Sequence, residues 1–504
     1  MIEKTRTEHT KSNIKAGIVQ KIVVIVLPFI TRTIMIKSLG TEYTGLSGLF
    51  SAILNIFNVA ELGFATAIAY SLYKPIALGD NEMVCALMCY FRKIYKIIGV
   101  IISALSILIL PLLKYMIKGS IPNELNVYVL FMLTAFYNVA GYLLFAYKDV
   151  VIGASQRQDI LHIIDVGICL VQFCLQCFVL LIFKSYYLFL IIQISCVLLR
   201  NLIVGYVSKK MFPQYEKKGP KLNVIEKKKI LMHVKGIAIG KITTTSRNGF
   251  DSMMISYYCG LFYVTIYDNY YYVLGAVNTI IGTISSAIMA SVGNSIALES
   301  KEKNFRDYMK FDFYYWIIRV VCSLLMLLLY QPFMHMWVGS DVMLTNSSMI
   351  LFVIYFYITS RANIRSAYIA GSGIWNKLQT INCIELGCNI ILNIVLGIVW
   401  GMNGILIASI VTVFVCSIIG NSVVLFKEYF ERNAWFFLKE MMEQDIIAIL
   451  LLGIAYFIFL NVLRISVIGA IGCAIFIFFI LFLNVVCVKR KYRRYVCEII
   501  KRCR

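Results

Sequence analysis

Residues 58–75 read NVAELGFATAIAYSLYKP. One carboxylate, Glu61, stands at the head of an apolar run that closes on Tyr73-Lys74-Pro75. A soluble core rarely buries an unpaired glutamate, because desolvating the charge costs more than packing returns. A membrane helix carries one for a functional reason. Pro75 turns Lys74 away from helical backbone, so the run ends where a lysine reaches headgroups. Gly63 has no side chain and admits a close neighbour. The stretch therefore reads as part of a spanning helix, and the chain has to supply partners for it.

The composition does so. Of 504 residues, 60% are hydrophobic and only 15% are charged, which is the balance of a polytopic membrane protein. No polar stretch exceeds about 30 residues, too short for a soluble domain. Lysine and arginine number 48 against 26 acids, a net charge of +22. The cations lie between apolar runs, so they read as topology signals and contacts to anionic lipid, not as a nucleic-acid surface. Fifteen cysteines are scattered through apolar segments. The Cys174/Cys177 pair has no second pair and no histidine beside it, so it implies small apolar residues and no metal. The first apolar run is long and lacks a cleavage site, so it is expected to be a retained helix.

A span needs about 20 apolar residues. Fourteen stretches meet that length, at about 17–39, 44–72, 91–115, 125–148, 160–183, 185–207, 232–258, 262–294, 312–338, 344–370, 376–400, 402–425, 445–463 and 466–488. Basic residues crowd alternate connections. Lys74, Arg92, Lys93 and Lys96 fall in one, Lys209 to Lys229 in another, Lys301, Lys303, Arg306 and Lys310 in a third. The intervening connections hold little beyond Lys37, Lys114, Lys118, Lys184 and Arg464. The alternation predicts both termini in the cytoplasm.

The basic connection divides the first twelve helices six and six. At an offset of 220 residues, Ile76-Ala77-Leu78 falls on Ile296-Ala297-Leu298, Phe91 on Phe311, Gly40 on Gly260 and Gly119 on Gly339. Six and six helices in one orientation make a parallel repeat. The expected fold is all-α and polytopic. It comprises a six-helix bundle over 1–207, a basic cytoplasmic linker over 208–231, a second bundle over 232–430, two added helices over 431–488 and a basic tail over 489–504.

Charges at membrane depth are the site candidates. Arg32 lies in the outer half of helix 1, where it either faces a cavity or snorkels outward. Arg247 and Asp251 share one helical face at i, i+4. They either neutralise each other, or Arg247 exchanges Asp251 for a phosphate. Arg361 and Arg365 repeat that spacing at the cytoplasmic end of helix 10; they either anchor topology or offer the fork geometry that suits phosphate. Glu61 is a coupling acid or the partner of an arginine such as Arg32. The sequence holds no P-loop, no GxGxxG and no HExxH, so nothing points to an enzyme, a cofactor or a metal site.

The segment IMIKSLGTEYTGLSGLFSAILNIFNVAELGFATAIAYSLYKPIALGD (34–80) resembles the N-terminal signature of bacterial polysaccharide flippases. These belong to the multidrug/oligosaccharidyl-lipid/polysaccharide exporter superfamily. Leu39-Gly40, Gly45-Leu46, Glu61-Leu62-Gly63 and Tyr73-Lys74-Pro75 carry the likeness, with YFRKIYKIIG (90–99) and DSMMISYYCGLFYVTIYDNYYYV (251–273). The resemblance implies two six-helix bundles around a cavity. It implies translocation of an undecaprenyl-diphosphate-linked saccharide across the bacterial inner membrane by alternating access, with a polysaccharide polymerase as a potential partner. It also implies that Arg32 and Arg247, and more weakly Arg361 and Arg365, grip the diphosphate; Glu61 and Asp251 stand beside them as the candidate coupling or ion-pair acids. Two other readings stand beside it: a cation antiporter of the same superfamily, and a membrane scaffold that transports nothing.

Overall fold

The computed structural model describes residues 6–58, 71–76, 78–118, 125–144, 147–155, 157–217, 219–220 and 222–461. Among them the regular structure is entirely helical. The order is α1 (Arg6–Leu39), α2 (Thr41–Phe57), α3 (Asn81–Met116), α4 (Val127–Leu143), α5 (Tyr147–Ala154), α6 (Gln158–Ile182), α7 (Tyr186–Met211) and α8 (Val224–Cys259). There follow α9 (Leu261–Leu298), α10 (Lys301–Val338), α11 (Asn346–Ser360), α12 (Ala362–Ser372), α13 (Trp375–Thr412), α14 (Asn421–Glu428) and α15 (Trp435–Asn461). Seven helical stretches among the described residues are long and apolar enough to cross a membrane, and an eighth if the bent pair Val127–Tyr142 and Tyr147–Ala154 is one span. The chain is a multi-pass membrane protein. The expected span at 466–488, the basic tail and Glu61 lie outside the described residues.

The chain forms two compact units, Met1–Thr265 and Ile266–Arg504. In the first, α2 is the central element. Leu46, Leu49, Phe50 and Ile53 are buried with Phe131 of α4 and Tyr186 of α7, and the Phe50 and Phe131 rings meet edge to face at 5.3 Å. A second core joins Phe91, Tyr95 and Ile98 of α3 to Val151 of α5. The basic connection contributes to it: Leu222 is buried there, and a Cβ on Gly219 would stand 2.2 Å from the Ala86 nitrogen. This strap is thus docked on α3 through Phe212, Tyr215, Gly219 and Leu222. Beyond it, Asn223 and Glu226 form a capping box that starts α8.

The offset of 220 reappears as backbone geometry. Gly40 separates α1 from α2 at φ 109, ψ 175, and Gly260 separates α8 from α9 at φ 98, ψ 171. Both are corners that L side chains avoid. Asp80 caps α3 through the Met83 amide, and Ser300, 220 residues later, caps α10 through the Lys303 amide.

In the second unit, Phe313, Trp316, Val320, Leu324 and Leu328 of α10 pack against Tyr357 of α11 and against Ala448 and Ala455 of α15. The expected spans 376–400 and 402–425 join at Gly401, whose φ of 54 reverses the chain inside α13. A Cβ on Gly404 would meet the Leu396 carbonyl oxygen at 1.9 Å. Val413–Gly420 is a π-helix.

Candidate functional site

Pro28 lies inside α1 one turn before Arg32. It supplies no amide proton and loosens the helix there. Thr31 and Thr33 donate back to the carbonyls of Leu27 and Phe29 at 3.1 and 2.8 Å. This loosened turn borders a cavity of about 310 Å³ within the first unit. Its polar lining is Thr31, Arg32, Thr44, Ser47, Tyr137, Gln172, Gln176 and Gln193, and its apolar walls include Met35, Phe173 and Phe189. No carboxylate lines it among the described residues. Gln172 donates to the Gln176 carbonyl at 3.3 Å. Gln176 is 4% exposed, and its own Nε2 makes no hydrogen bond. A buried amide without an acceptor is costly, so the cavity carries a cation and an unmet donor, the demands of an anionic or oxygen-rich guest.

Arg247 and Asp251 are both buried, on successive turns of α8 within the same unit. α8 crosses α2 at close range, since a Cβ on Gly249 would stand 2.9 Å from the Ala52 oxygen. The cavity lining does not include Arg247. Arg32 and Arg247 are thus both inside the first unit, and only Arg32 borders this cavity. Asp165, nearer a helix end, is held by Arg200 Nε at 2.7 Å and Gln20 Nε2 at 3.0 Å, while Arg200 Nη1 binds Asp149 at 2.8 Å. Cys174 faces outward and Cys177 is half-buried; both are free thiols.

Arg361 and Arg365 lie in the second unit and are 6% and 3% exposed. Arg361 pairs with Asp445 of α15. Arg365 donates to the Ile418 carbonyl at 3.1 Å and to Ser417 and Ser422 at 3.1 and 3.4 Å. It therefore ties α12 to the π-helix, whose wide turn frees a carbonyl. In this conformer both guanidiniums serve the packing of their own unit.

Two groups escaped the sequence reading. The three glutamines are one: Gln172 and Gln176 are i, i+4 in α6, and that spacing was a usable signal. The other is a buried file on α13. Asn389 donates to Ser409 and Thr412 at 3.1 and 3.3 Å, and Asn393 donates to Asn389 at 3.3 Å. Asn382 accepts from Asn421 at 3.4 Å.

The chain is a multi-pass helical protein with a cation-bearing polar cavity in its first unit. The solved structures it resembles are of a flippase and of transporters. The lipid II flippase MurJ, in an inward closed conformation, matches with a TM-score of 0.66 at 13% identity, over 96% of this chain and 99% of that one. An inward-facing multidrug resistance MATE family transporter of the MOP superfamily matches with a TM-score of 0.60 at 14% identity, over 79% and 93%. The Vibrio cholerae MATE transporter VcmN matches with a TM-score of 0.56 at 12% identity, over 84% and 99%. The chain thus has the MOP transporter fold. No family model and no curated protein sequence matches it.

Proposed function

We propose that this protein is a flippase that moves a saccharide linked to undecaprenyl diphosphate across the bacterial inner membrane, for cell-surface polysaccharide synthesis. The observation that carries this reading is the cavity beside Arg32, which joins a guanidinium, three carboxamides and four hydroxyls with no lining carboxylate among the described residues. A phosphate or sugar oxygen finds donors there, and a guanidinium matches phosphate with two parallel hydrogen bonds. A polar headgroup cannot cross hydrocarbon unaided. The cavity lowers that cost while the isoprenoid tail stays in the bilayer. Alternating access then exposes the site to one leaflet and afterwards to the other. Arg32 is the first gripping residue and Arg247 the second. Glu61 and Asp251 are the acids available for coupling or for neutralising a cation. Both termini lie in the cytoplasm, the anionic leaflet receives the basic connections, and a polysaccharide polymerase takes the delivered unit. No chemical step is required of the chain.

The likeness to multidrug transporters favours a second reading, export of an organic cation. An organic cation is held by a carboxylate or by aromatic faces and is repelled by a guanidinium, so the two readings divide on Arg32. Arg32→Ala and Arg247→Ala, singly and together, are to be compared at equal protein levels. Surface polysaccharide and leaflet-resolved lipid-linked precursor are the readouts. The flippase reading expects polymer to fall at least tenfold in the double variant, with precursor trapped on the cytoplasmic side. Full polymer in that variant refutes the role of these arginines and favours the exporter or the scaffold.

A further inference from the structure

In the second unit, Arg319 sits in α10 with none of its surface exposed, and its Nε, Nη1 and Nη2 make no hydrogen bond. A guanidinium at membrane depth without a hydrogen-bonding partner is among the costliest groups a helix bundle can hold. Its immediate neighbour is the Tyr357 ring, 5.3 Å from Arg319 Cζ. The same ring lies 5.9 Å from Arg361 Cζ. Tyr357 donates its hydroxyl to Asp445 Oδ1 at 2.7 Å, and Arg361 donates to that same oxygen. Two cations therefore flank one aromatic ring, and one carboxylate at its hydroxyl end serves only one of them. Asp312, two turns before Arg319 on α10, is the other carboxylate in the electrostatic neighbourhood of both arginines.

Unmet polar demand gathers at this α10–α15 contact. Ser323, one turn after Arg319, has a buried hydroxyl without a partner; the side-chain carbonyl of Gln444, next to Asp445, accepts no hydrogen bond either, while its backbone carbonyl accepts from Trp316 Nε1 at 3.2 Å. Folded interiors satisfy nearly all such groups, and packed helices with two discrete arrangements are one way in which proteins switch. α15 presents the small buried residues Ala448 and Ala455 to α10, so no bulky side chain on α15 interlocks with α10 at these two positions. Arg361 itself occupies the break between α11 and α12, with its amide bonded to Ile358 at 3.2 Å.

We propose that Asp445 is a shared carboxylate, pairing Arg361 in this conformer and Arg319 in another, so that α15 is a latch between α10 and the α11–α12 break. The added helix outside the twelve of the repeat then has a mechanical role inside the second unit. The latch stands on this geometry alone, whatever the protein carries.

The test uses the full-length protein in nanodiscs without substrate, read by melting temperature and by amide exchange. In Arg319→Leu a buried charge with no hydrogen bond disappears and Asp445 stays with Arg361. The melting temperature is expected to rise by about 3 °C, and exchange at 358–366 to slow. In Arg361→Leu the carboxylate passes to Arg319: exchange speeds at 358–366 while α15 stays protected. The double variant removes both partners, and α15 loses protection as well. Arg319→Gln is the milder form, expected to melt no lower than the parent. An Arg319→Leu or Arg319→Gln protein that melts below the parent overturns the proposal, as does a double variant whose α15 exchanges like that of the Arg361→Leu protein.

Discussion

A methyl group placed on Gly45 strikes the first turn of α9. The Cβ would stand 2.3 Å from the Leu261 carbonyl oxygen and 3.0 Å from Thr265 Oγ1. Comfortable contact begins near 3.5 Å, so in Gly45→Ala α2 retreats by about 1 Å. The retreat strains two bonds, the Thr44–Thr265 hydroxyl contact at 3.1 Å and the Thr265 donation to the Thr41 carbonyl at 2.6 Å. Overpacking costs about 1–3 kcal/mol, and each weakened hydrogen bond about 1 kcal/mol. Alanine returns about 1 kcal/mol of helix propensity. The net loss is about 2–4 kcal/mol, which for a unit of this size, Met1–Thr265, is a fall in melting temperature of about 4–7 °C. Size-exclusion after heating, on detergent-purified protein, reads this directly. Gly275→Ala in α9 is the control, since a Cβ there meets nothing within 4 Å. A Gly45→Ala protein that melts within about 2 °C of its parent refutes the claim that this contact is close and rigid.

Lys148 is 5% exposed and binds Glu216 of the strap at 2.6 Å. Glu216→Ala leaves that ammonium without its carboxylate and is expected to cost about 2 kcal/mol in denaturant unfolding. Lys148→Met with Glu216→Leu is expected to recover to within about 1 kcal/mol of the parent, because the buried charge leaves with its partner. Alkaline phosphatase fused after Lys217 is expected to be inactive, and fused after Lys184 active, since the charge alternation places the first inside and the second outside. The reverse pattern refutes the assigned orientation.

Among the described residues most helix positions were legible because length and apolarity suffice for a span, and Gly40, Gly260 and Gly401 stand where the chain turns. The repeat was legible for the same reason: glycine corners and cap residues recur where backbone demands recur. Side-chain facing was much less so. In a soluble helix, polarity separates inside from outside; in α6 and α10 both the lipid face and the packed face are apolar. Nothing in the sequence around Arg319 marked it as wholly buried. Asp445 gave no sign that it would find Arg361, because the pair spans 84 residues. Gln172 and Gln176 escaped because only charges were treated as costly at membrane depth, although a carboxamide there also demands a partner.

The packing of α8 on α2 also fixes an order of events during synthesis. Gly249 and Gly45 mark the close approaches that complete the first unit, and the strap seals α3 on the way. A nascent chain that has inserted helices up to Met211 still shows the translocon an open seam along α2. The seam closes only after about 54 further residues, through Thr265, have been made, which takes several seconds at about 5–20 residues per second. During that interval an insertase or chaperone finds an unfinished groove to hold, and a chain truncated at residue 207 keeps that groove permanently.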